Sequence, residues 1–309
     1  MRRVWLAAAL AAFPCLSAVA QSRIDYSKLE IRTTDLGHGV YYLGWQGGDS
    51  LILVGDDGVL LVDTSVAQMG DKIKAAIARV SDKPIRLVIN THAHADHFGS
   101  NELMAKGGAI IIGHETLRER MAKGQYLAAF KQTIPPSPPA ALPAITYLET
   151  MTIHFDGETV QLFHAPRAHT DNDTLVYFKR ANVIHASGTF GGDRSYPFFD
   201  ISSGGSLAGM IRAEEEMLSL SDDRTRIIAD EGDPGSREGL KAACEMLVTI
   251  RARVQKLLDE GKSEDQIVAE KPTRDLDAQW VPQGSPLTGD FFTRLAYQSL
   301  KNDRGPARP

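Results

Sequence analysis

The chain has 309 residues, with 34 Lys and Arg against 39 Asp and Glu, which gives a formal net charge of −5 at pH 7. This acidic balance argues against a nucleic-acid-binding protein, which normally presents a basic surface. The length allows one sizeable hydrophobic core with a small appended part.

The first 20 residues have the pattern of an export signal. Arg2 and Arg3 form a short positive start, 4–13 is an apolar run, and 18–20 (Ala-Val-Ala) is a small-x-small cleavage site before Gln21. A buried first helix is the alternative, which the flanking residues disfavour. No later stretch reaches the roughly 18 apolar residues of a membrane-spanning helix. We therefore expect a periplasmic or secreted protein without stable membrane insertion.

Short apolar runs separated by Gly-rich or Pro-containing turns predict strands along most of the mature chain. Helical spacing of apolar residues predicts the helices between them. The predicted strands are 40–43, 50–54, 59–63, 85–89, 109–112, 152–155, 159–163, 174–178, 183–185 and 225–229, and the predicted helices are 71–78, 100–105, 115–122, 204–220, 237–259 and 291–300. The five prolines of 133–143 predict an ordered loop or lid. Two β-rich blocks with interposed helices indicate an α/β protein with a layered sheet core and helices outside.

Cysteine usage limits the metal chemistry that is open to the mature chain. Of the two cysteines, Cys15 lies in the predicted signal and Cys244 in the predicted helix 237–259. An internal disulfide and a cysteine metal cluster are therefore both excluded after cleavage. Cys244 is expected to be an inert buried thiol. Any metal must be held by His, Asp and Glu.

The densest chemical signal directly follows the predicted strand 85–89. Three histidines and an aspartate fall within six residues, namely His92, His94, Asp96 and His97. They lie on a loop whose position is fixed by the rigid strand before it. Imidazole nitrogens and a carboxylate suit a borderline metal such as zinc. His92 and His94 can converge on one ion, and Asp96 and His97 can face a neighbouring one. Burying this set without a metal would be costly, which favours a functional site over a structural role.

This segment fits the His-x-His-x-Asp-His signature of the metallo-β-lactamase superfamily. Asp63-Thr64 upstream and 168–173 downstream resemble further motifs of that superfamily in the right order, and the resemblance covers roughly 35–233. It implies an αββα metallo-β-lactamase sandwich over 21–235, with a metal site at one edge and a C-terminal helical extension over 236–309. A narrower resemblance, over 196–206 and the helix after Arg237, is to exported bacterial metallo-hydrolases associated with quinoprotein systems.

The resemblance also implies roles for individual residues. His92, His94 and His169 would form a first zinc site with an open position, where the metal lowers the pKa of a bound water. The resulting hydroxide would attack a carbonyl or ester group. Asp96 would orient this nucleophile and, with His97, bind a second ion in two-metal members.

The sequence departs from that pattern at two positions. Gly188 stands where many two-metal members have a bridging aspartate, and Glu231 stands where a late histidine is usual. No histidine follows His185. Glu231 can bind zinc through oxygen, so the second site is either one ligand short or held by oxygen where nitrogen is usual. We expect Zn²⁺ at the first site and leave the second open.

Other polar and aromatic residues have two interpretations each. His114 is expected either near the site or in a local polar contact at its helix start. Asp171 or Asp173 is a candidate to accept the second ring proton of a ligand histidine, although turn chemistry explains both. Tyr196 and Phe198 either line a pocket or pack in the core.

The leading functional hypothesis is a periplasmic zinc hydrolase that acts on an amide, lactam or ester bond of a small molecule. A β-lactam is the first substrate candidate, because export would place the enzyme where those compounds act, although fold alone does not select a substrate. The alternative is a degenerate binding or maturation protein with a reduced metal site. A third, weaker hypothesis is an iron-dependent redox enzyme. The oligomeric state stays open.

Overall fold

The protein is described here from a computed structural model, which covers residues 24–45, 48–230 and 234–304. The predicted export signal and Glu231 lie outside the described residues. The strands are β1 (Arg32–Gly37), β2 (Val40–Gly44), β3 (Ser50–Gly55), β4 (Gly58–Val62), β5 (Ile85–Ile89), β6 (Ile110–His114), β7 (Gln125–Leu127), β8 (Gln132–Ile134), β9 (Ile145–Tyr147), β10 (Thr150–Phe155), β11 (Glu158–Ala165), β12 (Asp173–Phe178), β13 (Val183–His185), β14 (Arg226–Ile228) and β15 (Gly235–Ser236). The helices are α1 (Gly70–Ala78), α2 (Ala95–Phe98), α3 (Asn101–Lys106), α4 (Glu115–Lys123), α5 (Leu207–Leu220), α6 (Arg237–Asp259), α7 (Glu264–Ala269), α8 (Asp277–Trp280) and α9 (Gly289–Asp303).

Two mixed sheets form the centre of the protein. The first has the strand order β1-β2-β3-β4-β5-β6-β9, and β4, β5, β6 and β9 run parallel. The second has the order β10-β11-β12-β13-β14-β15, in which β13 and β14 are the parallel pair. β7 and β8 form a separate two-stranded hairpin.

Side-chain alternation along the strands explains why the sheets stack. In β3, Leu53 faces the core between the sheets, whereas its neighbour Ile52 faces the opposite side. In β12, Val176 lies in the core between the sheets and Leu175 lies outside it. Both faces of each sheet are thus apolar, and each outer face needs a cover.

Helices supply that cover on both sides. Ile73 of α1 and Met104 of α3 pack on the outer face of the first sheet. Met210 of α5, Leu247 of α6 and Leu295 of α9 pack on the outer face of the second. The architecture is therefore an αββα sandwich, as the sequence predicted, and the C-terminal helices α6–α9 continue the helical layer of the second sheet.

The C-terminal part shows more structure than the sequence indicated. α6 has its predicted bounds, but the structure adds α7 and α8 to the one terminal helix that was expected. α7 has six residues, begins with a capping box between Ser263 and Gln266, and buries only Ile267 and Val268. Two apolar positions are too few to establish a helical period, so a helix of this length gives little signal in the sequence.

The Pro-rich segment 133–143 was predicted as a loop, but its first two residues belong to β8, and the remainder is tied to its surroundings. The amide of Asn101 donates to the Ala141 carbonyl over 2.9 Å, and the Arg118 guanidinium donates to the Pro143 carbonyl. Cys244 is buried as predicted, and burial raises the pKa of its thiol to about 12. Among the described residues, none of the helices is long and apolar enough to cross a membrane.

Candidate metal centre

Loops from both sheets meet at one edge of the sandwich. Four of these loops follow the carboxyl ends of the parallel strands β4, β5, β13 and β14. A fifth loop precedes the antiparallel strand β12. They bring together the residues Asp63, His92, His94, His169, Gly188 and Asp230. A sheet edge of this kind is a common position for a binding site, because rigid strands fix the loops that carry it.

Asp63 connects the loop after β4 to the histidine-rich loop after β5. Its carboxylate accepts hydrogen bonds from the Thr91 amide over 2.8 Å, the Thr91 hydroxyl over 2.6 Å and Nδ1 of His97 over 2.8 Å. Its backbone has a φ of 59°, a conformation that aspartate tolerates better than most residues. This triple contact fixes the orientation of the His97 ring.

Three buried imidazoles converge on one point. Nδ1 of His94 lies 3.1 Å from Nε2 of His92 and 3.0 Å from Nε2 of His169. One ligand atom from each ring lies within 4.8 Å of the other two. Tetrahedral zinc with Zn–N bonds of about 2.0–2.1 Å holds its nitrogens roughly 3.3 Å apart. The spacing therefore suits three imidazole ligands of a single zinc ion.

The outer nitrogen of each ring is already occupied by a partner. Nε2 of His94 lies 3.3 Å from Asp200 Oδ2, and Nδ1 of His169 lies 2.7 Å from the Phe198 carbonyl. Nδ1 of His92 lies 3.1 Å from the Thr91 hydroxyl, whose own proton goes to Asp63. Because these partners accept the ring N–H protons, the three inner nitrogens present lone pairs to one another. A cation between them would relieve that repulsion.

A second group of donors lies beside the first. Nε2 of His97 is 3.2 Å from Asp230 Oδ1 and 3.6 Å from Asp96 Oδ2, and it makes a hydrogen bond with neither. His92, His97 and Asp230 also offer ligand atoms within 4.8 Å of one another. Asp96 and His97, which the sequence placed on a loop, lie in the short helix α2 beside the three imidazoles. Asp230 immediately precedes Glu231 in the sequence. Among the described residues, it is the acidic residue from this later part of the chain that lies at the site.

Electrostatics differ sharply between the two groups. Burial, reinforced by the neighbouring histidines, lowers the pKa of His92 well below its ordinary value, so its ring is neutral at pH 7. Burial acts in the same direction on His97. There the carboxylates of Asp230, Asp96 and Asp63 outweigh it and raise the pKa well above the ordinary value. The second group therefore favours a cation at Nε2 of His97, whether a proton or a metal ion.

Gly188 is packed directly against a candidate ligand. A Cβ at this position would lie 2.2 Å from Cδ2 of His169, far inside van der Waals contact. The glycine is therefore required by the position of the His169 ring. No aspartate side chain fits at 188 unless His169 moves, so a bridging carboxylate at this position is incompatible with the geometry.

Asp200 is the supporting residue that the sequence did not reveal. Burial opposes its ionisation, but hydrogen bonds from His94, Ser202 and Ser203 outweigh this effect and hold the pKa of Asp200 below its ordinary value. An ionised carboxylate here fixes the tautomer of His94. In the sequence, an aspartate two residues before a serine indicates only a turn, so nothing local pointed to His94.

The other predicted polar residues serve structural roles. Asp171 forms a bidentate ion pair with Arg120, with contacts of 2.7 and 2.5 Å, and Asp173 accepts from the Thr170 amide over 2.7 Å. Neither accepts the ring proton of His169, which goes to the Phe198 carbonyl. His114 caps α4, where Nδ1 accepts from the Thr116 amide, and its Nε2 donates to the Leu148 carbonyl over 2.9 Å, so both ring nitrogens make structural contacts.

A cavity of about 510 Å³ opens beside these groups. His94, Asp96, His169 and Asp230 lie on its wall, and Phe198 lines it as well. Tyr196 both lines the cavity and packs in the core, where its hydroxyl donates to Asp277 over 2.9 Å. The candidate metal ligands are therefore accessible to a molecule in this cavity.

The fold is similar to that of several solved structures. A metallo-beta-lactamase from Pontibacter korlensis superposes with a TM-score of 0.60 at 15% identity, covering 71% of this chain and 99% of that one. A stereoselective inverting sec-alkylsulfatase from Pseudomonas sp. superposes with a TM-score of 0.64 at 16% identity, covering 90% of this chain and 52% of that one. Identities this low show a shared fold and do not select a substrate.

Sequence comparison finds two partial relatives and a family. The chain is 26% identical over 144 residues to 2,4-dinitroanisole O-demethylase subunit alpha from Nocardioides sp., which is 45% of this chain and 40% of that protein. It is 33% identical over 72 residues to a linear primary-alkylsulfatase from Pseudomonas sp., which is 21% of this chain and 14% of that protein. The matches thus span less than half of either relative. The pattern of the Metallo-beta-lactamase superfamily matches residues 43–255, and this chain therefore belongs to that superfamily.

Proposed function

We propose that the protein is an exported zinc-dependent hydrolase that cleaves an amide, lactam or ester bond of a small molecule. The observation that carries this proposal is the convergence of three imidazole lone pairs, from His92, His94 and His169, at the wall of an open cavity. Superfamily membership supports hydrolysis in general. A zinc ion held by these nitrogens would act as a Lewis acid and lower the pKa of a water molecule toward neutrality.

The chain's own side chains would then position the reactants. The Asp96 side chain is 38% exposed and lies on the cavity wall, so it can accept a hydrogen bond from an attacking water and orient it. Asp200 and the Phe198 carbonyl hold the rings of His94 and His169 in the tautomers that direct lone pairs inward. A preorganised ligand set of this kind keeps its geometry during turnover.

The second group of donors would hold a further ion less strongly. It contributes one imidazole, from His97, and the carboxylates of Asp96 and Asp230. Glu231 stays a predicted ligand, because it lies outside the described residues. An oxygen-rich set of this kind is a weaker match for zinc than three imidazoles.

A second candidate function rests on Gly188. Since the packing of His169 against Gly188 leaves no room for a bridging aspartate, the centre could have become a binding site with little hydrolysis. The chain would then be a binding or maturation protein on the same fold. The expected export makes a β-lactam the first substrate candidate for the hydrolase, although the carboxylate that these antibiotics carry would meet no Lys or Arg on the described cavity wall.

Elemental analysis of the purified mature protein, paired with hydrolysis assays, tests the proposal. We expect about one or two equivalents of zinc, and turnover of a chromogenic cephalosporin or an aryl ester that is lost in His94→Ala. His154→Ala, which removes an exposed histidine on β10, is the matched control and should keep both properties. Zinc without turnover of either substrate would favour the binding role. No bound zinc after supplementation would refute the proposal.

A further inference from the structure

The cavity beside the metal centre is walled largely by apolar side chains from separate parts of the chain. Leu127 and Phe130 come from the β7–β8 hairpin, Phe198 from the loop before α5, and Pro286 and Leu287 from the segment before α9. The C-terminal part of the chain therefore completes the cavity. Apolar walls of this kind favour a ligand with a hydrophobic body.

Aromatic rings form a path from solvent to the candidate ligands. Phe130 is 59% exposed, and its ring centroid lies 5.2 Å from that of Phe198. The Phe198 ring lies 5.7 Å from that of His169, in an edge-on arrangement. A flat aromatic or aliphatic group can therefore rest on Phe130 and Phe198 while the rest of the molecule reaches the histidines.

The part of the cavity wall that the structure describes has no lysine or arginine side chain. Among the described residues that line it, none is Lys or Arg, and the carboxylates are those of Asp96 and Asp230. The neighbouring cations in the sequence, Lys131 and Arg194, are exposed and do not line the cavity. An anionic group on a substrate would thus meet no opposite charge from the described wall.

The metal centre itself does not supply the positive charge that the described cavity wall lacks. Four carboxylates contact its histidines, namely Asp63, Asp96, Asp200 and Asp230. Two divalent ions would only balance these four negative charges, and one ion would leave the site negative. Attraction between a bound ion and a remote anionic group is therefore offset by carboxylates at similar distance.

We propose that the substrate is electrically neutral and carries a hydrophobic group that binds on Phe130 and Phe198, and that anionic analogues are discriminated against. This rests on the proposed hydrolase function. For an ester, the reaction needs water as its only co-reactant: the water oxygen bonds to the carbonyl carbon, the acyl C–O bond breaks, and the water proton passes to the departing oxygen. The products are a carboxylic acid and an alcohol or phenol.

Two aryl acetates of matched shape test the proposal on the zinc-loaded enzyme. Methyl 4-acetoxybenzoate is neutral, and 4-acetoxybenzoate carries one negative charge far from the reacting carbonyl. After kcat/KM is divided by the rate constant for hydroxide hydrolysis, we expect the neutral ester to exceed the anion at least about tenfold. A ratio near one, or a preference for the anion, would overturn the proposal.

A binding measurement keeps this result separate from a failure of the hydrolase proposal. Calorimetry on chelator-treated protein compares methyl 4-hydroxybenzoate with 4-hydroxybenzoate, and we expect the neutral phenol to bind at least about tenfold more tightly. If neither ester is turned over, the hydrolase function fails while this comparison still decides the charge preference. Equal affinities, or tighter binding of the anion, would overturn the inference.

A positive charge introduced on the cavity wall tests the same argument with a protein variant. Gln132 is exposed on β8 and lines the cavity, so Gln132→Lys adds a cation with little risk to folding. We expect the anion-to-neutral ratio of kcat/KM to rise at least about fivefold, by the same charge argument. Gln132→Met is the uncharged control of similar length and should leave the ratio unchanged. An equal rise in both variants would show that charge does not set the preference.

Discussion

Replacing Gly188 by alanine is expected to remove metal from the centre without changing any of the proposed ligands. The added Cβ would lie 2.2 Å from Cδ2 of His169, 2.4 Å from Cγ and 2.7 Å from Nε2. Ordinary contact begins at 3.4 Å, so the ring or the 188 backbone must move by roughly 1.2 Å. Metal sites tolerate deviations of only about 0.2 Å in ligand distance.

The His169 ring has little freedom to make that movement and stay a ligand. Its Nδ1 donates to the Phe198 carbonyl over 2.7 Å, and this bond would lengthen or break as the ring shifts. Loss of a supporting contact alone costs about 10- to 100-fold in metal affinity. Because a ligand itself is displaced here, we expect the zinc Kd to rise at least ~100-fold. Overpacking should also lower the free energy of unfolding by about 1–3 kcal/mol.

Competition titration against a chromogenic chelator measures the zinc Kd, and thermal unfolding of the metal-free protein measures the packing cost. Gly107→Ala is the matched control, since its Cβ would meet its nearest atom, the Met104 carbonyl oxygen, at 3.2 Å on the exposed end of α3. Gly188→Asp should bind zinc no better than Gly188→Ala. Affinity within about threefold of wild type in Gly188→Ala would show that His169 is not a ligand.

Three further substitutions follow from other contacts. Asp200→Asn should weaken zinc binding about 10- to 100-fold, because the neutral amide no longer fixes the tautomer of His94; the same titration measures it. Burial raises the pKa of Glu214 well above its ordinary value, and neither of its oxygens has a hydrogen-bond partner among the described residues. The free energy of unfolding of the wild type therefore falls as the pH rises from 4.5 through that raised pKa. Glu214→Met should be more stable than the wild type by about 1–3 kcal/mol at pH 7 in urea unfolding. This advantage should shrink toward pH 4.5. Arg120→Lys should cost about 1 kcal/mol in the same unfolding assay, because lysine cannot keep both contacts to Asp171.

Matched controls separate these effects from general damage. Asp82→Asn removes an exposed carboxylate and should leave zinc affinity unchanged. Glu215→Met, on the exposed side of α5, should show no pH-dependent gain. Lys123→Arg, in an exposed pair with Glu119, should stay within about 0.5 kcal/mol of wild type. Unchanged zinc affinity in Asp200→Asn, a pH-independent gain in Glu214→Met, or full stability in Arg120→Lys would each contradict the corresponding argument.

Much of the fold could be predicted from the sequence because its core elements are long and strongly patterned. α6 repeats apolar residues at helical spacing over 23 residues, and its predicted bounds were confirmed. β9 and α8 have three and four residues, too few to show any period, and both were missed. The layered arrangement followed from the order of strands and helices, which the sandwich confirmed.

The candidate site likewise has some residues that the local sequence could predict and some contacts that it could not. His92 and His94 lie on the loop after β5, and His97 lies in the short helix α2 that follows it. The three are close in the chain, so the local sequence was enough to place them together. His94 and Asp200 are separated by 106 positions in the chain. Their contact depends on how the loop before α5 crosses the edge of the sandwich, which no local pattern encodes. Asp230 reaches His97 in the same way, from the end of β14.

Gly188 and Asp230 act on opposite sides of the centre. Gly188 allows the close approach of His169, so the first group keeps three convergent imidazoles at the expense of a bridging acid. Asp230 places a carboxylate beside His97, where the neighbouring acids already favour a positive charge. The groups are thus unequal: three nitrogens suit zinc closely, whereas one nitrogen and two carboxylates suit a range of cations less selectively. Because no side chain at 188 can bridge them, the first group can hold its ion without the second being filled.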